Sequence, residues 1–529
     1  MNHPVRTTLL VASALASFVA LAQPEPTETG LSTLPAPTPA APVAPAPAVP
    51  TSPVAAILAA KPPVIPYADP LPLELAMNQA LAANYDVKLQ RLTSSSAADN
   101  EQIALSNFDT TLAVSASTGA YVDASGTTIN PRTDSRDSRL SASQRLSATG
   151  ATVTASGSLA RSERTPSSSL LNPAYNSDVG LAIRQPLLKG AGATINQSAI
   201  ERARLGTERA RADFAAQLFT LVRDVEVAYA NLALAREQVG IRSFSLEVRK
   251  KLLEENTARR DTGVATDLEV LQAEVGVATA ARDLVLARQT AQDREDELQR
   301  LLGRDSFENP IGPVALVQST PPPVDVAASL QRARANTPEF ASALAAIRQQ
   351  EIDVRTAKNA GLPQLDFGVQ GGLNDTSARA NESTSNLWNG DGYSWQMDLS
   401  LSMPWGFRAE RARLRQARSS LDREELRRAQ IEQQILVSVR VSVRAVETGI
   451  ENLRLSALTA TLAAREYEVE KARYDSGLST FRRVQETQDA LDQARLAELQ
   501  AKVNLRTAQA NLDRLEGTAP IRYRLSLLP

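Results

Sequence analysis

From Tyr393 to Met403 the chain alternates. Tyr393, Trp395, Met397, Leu399, Leu401 and Met403 are apolar, and Ser394, Gln396, Asp398, Ser400 and Ser402 between them are polar. A period of two puts the two sets on opposite faces of a β-strand. Leu365, Phe367 and Val369, set against Asp366, Gly368 and Gln370, predict its partner. Leu112, Val114 and Ala116 begin a similar set nearer the N-terminus, and Val179, Leu181 and Ile183 end it before Pro186. A second period follows each set. Between Asn196 and Asp261 there is no proline, and Leu218, Val225, Leu232, Val239, Leu246 and Leu253 recur by sevens. Val439, Val446, Leu453, Ala460, Tyr467 and Tyr474 repeat that line later. Sustained heptads predict coiled-coil packing, and a run of roughly 65 residues makes a rod near 100 Å.

The two patterns belong to a duplication. Asp261-Thr262-Gly263-Val264-Ala265-Thr266 matches Asp475-Ser476-Gly477-Leu478-Ser479-Thr480, 214 positions later, and the same offset carries Val270 onto Val484 and Gly303 onto Gly517. Upstream, Ala83-Asn84 matches Ala335-Asn336 at an offset of 252, so the first copy holds 38 more residues, all in its strand region. After each Gly turn a half-length helix is predicted, Thr266–Leu302 and Thr480–Glu516; helices of similar length, Leu73–Ser106 and Val326–Ala360, open the two halves. Two such helices stacked end to end match one rod. The positive φ of a tight reversal suits Gly263 and Gly477, and Thr266 and Thr480 suit the N-caps of the returning helices.

These elements divide the chain into a signal peptide (1–22), a Pro/Ala-rich linker (23–70), a first repeat (71–303, strands about 109–186, long hairpin about 196–302), a connecting segment (304–324), a second repeat (325–517, strands about 364–403, long hairpin about 405–516) and a C-terminal tail (518–529). Arg6, the apolar run Leu9–Leu21 and Ala20-Leu21-Ala22 are the marks of a cleaved secretory signal; an uncleaved anchor is the other reading, for which the run is shorter than the ~20 residues needed to span a bilayer. The Pro/Ala composition of the linker cannot bury a core and favours an extended tether.

Composition narrows the chemistry. The net charge of -2 favours neither nucleic acid nor an acidic surface. There is no cysteine, and the single histidine, His3, lies in the signal segment. The usual nucleophile–base pairs and zinc ligands are therefore missing, and no catalytic residues, metal ligands or cofactor are expected. Strands of about ten residues with aromatics at their ends (Trp388, Tyr393, Trp395, Trp405 and Phe407) read as a membrane barrel with an interfacial girdle rather than a soluble sheet. Two hairpins cannot close a barrel and bare edges are not tolerated in lipid, so an oligomer is expected. The surplus residues include Leu140–Leu146 and Ala151–Leu159 around Ala148-Thr149-Gly150, an additional hairpin that either joins the barrel or projects as a loop.

With its tandem halves, Gln185-Pro186-Leu187-Leu188 and Met403-Pro404-Trp405 at the strand-to-helix junctions, and paired Gly-x-x-Thr turns, the chain resembles the TolC-like outer-membrane efflux family from Leu71 to Gly517. The resemblance implies an α+β membrane protein in which two helix-strand-strand-helix-helix repeats form, as a homotrimer, an outer-membrane β-barrel continued by a periplasmic α-helical coiled-coil barrel. It implies the exit duct of a tripartite efflux or type I secretion system, with a periplasmic adaptor docking near Gly263, Val264, Thr266, Gly477, Leu478 and Thr480 and an inner-membrane pump of RND or ABC type behind it. The alternative is a periplasmic coiled-coil scaffold or spacer. Family members often close the tip with acidic rings six and nine residues after the second turn glycine; here those positions are Arg483 and Glu486. Glu269 and Glu486, with Asp267 beside them, are expected to pair with Arg482 or Arg483 across neighbouring hairpins as a tip gate. As plain solvated charges they would be worth under ~1 kcal/mol each.

Overall fold

The computed structural model describes residues 70–122, 131–167, 169–316 and 325–519. The signal peptide, the linker up to residue 69, residues 317–324 of the connecting segment and the last ten residues of the tail lie outside the described residues.

Two rods set the scale, α4 (Ser198–Asp261, 64 residues), which follows the one-turn α3 (Ala193–Asn196), and α9 (Arg408–Asp475, 68 residues). At 1.5 Å per residue they run for roughly 96 and 102 Å. The heptad positions are the packed ones. Leu218, Val225, Leu232 and Leu253 are buried on α4, and Val439, Val446, Ala460 and Tyr474 on α9. Each rod turns into a half-length helix, α5 (Asp267–Leu301) and α10 (Phe481–Glu516).

The opening helices depart from expectation, because each is broken in two. The first half opens with α1 (Leu73–Ala83) and α2 (Tyr85–Ser106), the second with α6 (Val326–Asn336) and α7 (Pro338–Ala360). The physical causes are local. Asn84 is extended (ψ 132°) and its side chain accepts from the amides of Asp86 and Val87, capping a new helix. Pro338 has no N–H and fits the first turn of α7. These breaks receive the ends of the returning helices. Asn84 Nδ2 donates to the Leu301 carbonyl at 2.9 Å, and Asn336 Nδ2 to the Glu516 carbonyl at 3.1 Å. Beside them Gly303 and Gly517 both sit at φ 67°. A Cβ on Gly303 would run into the Ala83 carbonyl, and one on Gly517 would lie 2.7 Å from Asn336 Cβ. The landmarks shared by the two repeats are thus the parts of one joint, where two half-length helices meet end to end.

The helices form a wall four wide at both levels. Toward the strands the neighbours run α2, α4, α7, α9; toward the turns they run α5, α4, α10, α9. Cross-helix pairs fasten the upper level, with Arg204–Glu101 at 2.8 Å, Arg202–Asp353 at 2.6 Å, and Arg355–Glu201. Apolar clusters fill the middle: Met77, Val225, Leu232 and Leu298 of the first repeat with Ile311 of the connecting segment, and Val439, Val443, Leu505 and Leu512 of the second repeat.

Above the wall stand β1 (Thr111–Val122), β2 (Arg132–Arg145), β3 (Thr152–Thr165), β4 (Ala174–Pro186), β5 (Gln364–Ser377) and β6 (Tyr393–Ser402). They form one sheet in chain order with every neighbouring pair antiparallel. The surplus of the first repeat, β2 and β3, is inside this sheet, and its strands are longer than the alternation alone suggested. One cross-strand row reads Val114, Leu140, Gly157, Val179, Leu373, Tyr393; the next on the same face reads Leu112, Ala142, Ala155, Leu181, Gly371, Trp395. Next to the first of these rows, on the opposite face, runs Ser115, Arg139, Ser158, Asp178, Asn374. Over the two apolar rows one face is apolar across all six strands; farther from the helices the same face turns polar on β2 and β3, at Ser138, Arg136, Arg161 and Glu163.

Candidate functional site

At the lower end each rod stops in a Schellman turn. Gly263 N–H donates to the Arg260 carbonyl at 2.9 Å and Val264 N–H to the Arg259 carbonyl at 2.8 Å; Gly477 and Leu478 repeat this onto Tyr474 and Arg473 at 3.0 and 2.8 Å. The glycines stand at φ 78° and 75°, as a reversal in the left-handed region requires. Val264 and Leu478 are exposed at the apex.

The two returning helices start differently. Thr266 Oγ1 accepts from the Glu269 amide at 3.3 Å while the Glu269 carboxylate accepts from the Thr266 amide at 2.8 Å, a capping box in which Asp267 adds a second first-turn carboxylate. Thr480 occupies the N-cap position but its side chain makes no cap hydrogen bond. The third residue on is Arg483, which cannot return the reciprocal half of the box. Within the single chain the expected gate residues pair along their own hairpins. Glu269 spends its carboxylate on its own helix start and does not bond Arg482 or Arg483 within the chain. Arg482 pairs with Glu486 at 3.1 Å, and Arg483 with Glu486 at 3.4 Å and with Glu466 at 3.8 Å, all inside the second hairpin. Arg483 and Glu486 are 56% and 48% exposed, which makes them weak contacts.

The groups that fasten one hairpin to the other lie higher and were not singled out from the sequence. Tyr474 Oη donates to Asn256 Oδ1 at 3.1 Å in a buried position. The Arg259 guanidinium stands 4.4 Å from the Tyr474 ring centre, and the Phe481 ring lies 6.4 Å away. Leu252, Leu253, Val270, Val277 and Val484 close around them. Burial pushes the Tyr474 hydroxyl above its ordinary value of 10.0. Further up, Arg249 pairs with Asp489, and Arg506 with Glu226 at 2.6 Å where the side chains are 12% and 2% exposed. A signal for these was present. Leu221, Ala228 and Ala235 make a heptad line on the first rod that turns polar at Arg242, Arg249 and Asn256. Polar residues in a packed seam specify register and partner. A groove of about 470 Å³ opens beside this line, walled by Arg242, Arg249, Leu271, Val275, Gln485 and Asp489.

At the upper end the aromatics bracket β6. Tyr393 and Trp395 begin the strand, both exposed on the apolar face. Trp405, 97% exposed, and Phe407 lie past its other end in the turn into α9, where Phe407 takes φ 49°. Trp388 belongs to the β5–β6 connection. There a short helix, α8 (Ala380–Asn386), folds over the apolar face, burying Leu387 and joining Ser177 Oγ to Ser383 Oγ at 2.7 Å. Among the described residues no helix is long and apolar enough to cross a membrane.

The model of the outer membrane efflux protein family matches residues 150–304 and 329–518. Among relatives, the pyoverdine export outer membrane protein OpmQ of Pseudomonas putida is 26% identical over 331 residues, 60% of this chain and 65% of that protein, so the chain spans just under two thirds of its length. Among solved structures, the CmeC outer membrane channel of Campylobacter jejuni superposes with a TM-score of 0.65 at 17% identity, covering 86% of this chain and 90% of that one. The outer-membrane channel OprN gives 0.63 at 20% identity, covering 84% and 89%.

Proposed function

Because the chain belongs to the outer membrane efflux protein family, we propose that it is the outer-membrane exit duct of a tripartite export machine, conducting cargo passively from a pump–adaptor complex through periplasm and outer membrane. One observation carries this reading: at every level the described residues form a piece of wall with two unpaired edges. The sheet ends in β1 and β6, which have no second neighbour among the described strands. The lower helical wall ends in α5 and α9, whose apolar residues Leu268, Val285 and Leu286 on one side and Leu455, Leu458, Leu462 and Val469 on the other are exposed. Counted from the turns, both sets fall within roughly 30 Å of the tip, so they face each other when copies are placed head to tail. Such a heterologous contact gives a ring where its rotation closes. Three copies bring twelve helices and a continuous sheet, with the apolar face to lipid and the polar face to a water-filled bore.

In this reading the apex residues Val264 and Leu478, with the groove by Arg249 and Asp489, meet the adaptor, and an inner-membrane pump of RND or ABC type selects the cargo. Pyoverdine is named for the Pseudomonas relatives; for this chain the cargo follows from the pump. Tip closure within the chain rests on Tyr474–Asn256, Arg249–Asp489 and Arg506–Glu226 rather than on the exposed Arg483–Glu486 pair. Fractionation tests the duct against a scaffold. A heat-modifiable trimer in outer membranes is expected; a soluble periplasmic protein of the same chain would overturn the reading.

A further inference from the structure

The β2–β3 hairpin lies between β1 and β4, so that β1 reaches β4 only through it. Its register runs unbroken on both sides, from Thr111–Ser143 to Val122–Arg132 against β1 and from Thr152–Arg184 to Ser162–Ala174 against β4. The alternation of the rest of the sheet continues through the half of it nearer the helices, with Leu140, Ala142, Val153, Ala155 and Leu159 on the apolar face beside Ser138 and Gln144, and Arg139, Ser141, Ser156 and Ser158 on the polar one. A projecting loop has no reason to keep that alternation in step with its neighbours.

Resting on the duct reading above, we infer that the hairpin is a stave of the barrel, that each chain contributes six strands, and that the closed pore has eighteen. Arc lengths support the count. Four helices at 8–10 Å spacing span about 36 Å of wall, and six strands 4.8 Å apart, tilted by about 40°, span about 38 Å. Six is also an even number, so β6 of one copy meets β1 of the next antiparallel, as an outer-membrane barrel requires. Eighteen strands give a barrel roughly 36 Å between opposite backbones and a bore of roughly 25 Å once side chains are allowed for, in the range of open aqueous channels. The exit then continues the tunnel without a step, and hydrated cargo up to that width is limited at the periplasmic tip and not at the cell surface.

The chain has no cysteine, so single cysteines report cleanly. In the full-length protein in lipid vesicles, Leu140→Cys, Ala142→Cys and Ala155→Cys, labelled with a bimane fluorophore, should be quenched by brominated acyl chains as strongly as Leu399→Cys on β6. Ser141→Cys and Ser156→Cys should instead react with a membrane-impermeant maleimide, as Gln396→Cys does. Electron cryomicroscopy of the same particle should count eighteen strands. A trimer whose β6 positions alternate while all hairpin positions are open to water, with twelve strands counted, would overturn the inference and leave the duct intact. Loss of alternation at β6 as well, with no trimer, would overturn both.

Discussion

Tyr474 holds the narrow end of the molecule by one hydrogen bond and a packed ring. Its hydroxyl donates to Asn256 only while protonated, and burial raises its pKa above 10.0. A raised folded-state value means that the stabilisation is complete below the ordinary tyrosine pKa and is lost as pH rises through the folded one. Maleimide labelling of Ala273→Cys, a position buried in the same cluster, taken as a ratio to that of the exposed Val264→Cys to remove the thiolate's own pH dependence, should therefore be flat from neutral pH to about pH 9 and rise above about pH 10. Tyr474→Phe should remove that pH dependence and label faster throughout, since it leaves the buried Asn256 oxygen without its donor at a cost of about 1–3 kcal/mol. Tyr474 was legible in the sequence as an apolar heptad position, but its partner was not. A tyrosine can face many polar groups, and only the stagger of two rods 218 positions apart in sequence brings it to Asn256. Thr266 and Thr480 teach the same point more locally. Both positions were legible as N-caps, whereas the capping box also needed Glu269, for which the second repeat has Arg483.

At the scale of elements, the rods, turns and returning helices follow from patterns several residues long, each enforced by burial or by positive φ, and these were readable. The breaks at Asn84 and Pro338 were passed over because apolar periodicity continues across them; the reason for breaking lies in the incoming ends of α5 and α10, far away in sequence. The hairpin β2–β3 was recognised, but its place was not, because Ala142, Ala155 and Gly157 make a faint apolar face that only pairing with Leu181 and Val179 identifies. Two predictions belong here. Glu226→Ala should cost about 3–5 kcal/mol in resistance of the assembled protein to heat, by stranding the buried Arg506 charge, and Glu226→Leu with Arg506→Met should recover most of it. Arg483→Ala with Glu486→Ala should change single-channel conductance little, because these exposed partners sit on one helix; Tyr474→Phe with Arg249→Ala should raise it by freeing one hairpin from the other.

For the whole molecule, the decisive fact is that a chain with a well-packed interior still leaves edges at every height. Among the described residues the sheet presents bare strands at β1 and β6, and the helical wall presents apolar seams at α5 and α9. Unpaired backbone is not stable in hydrocarbon, so in the proposed duct copies of the chain complete one another and enclose water along their length. The measurement closest to that claim is planar-bilayer recording from the purified, full-length oligomer. The duct account predicts discrete ohmic steps from a three-chain particle, small in the wild type and larger when Tyr474→Phe and Arg249→Ala release the tip. Folded, lipid-inserted protein that conducts nothing in either form would contradict it.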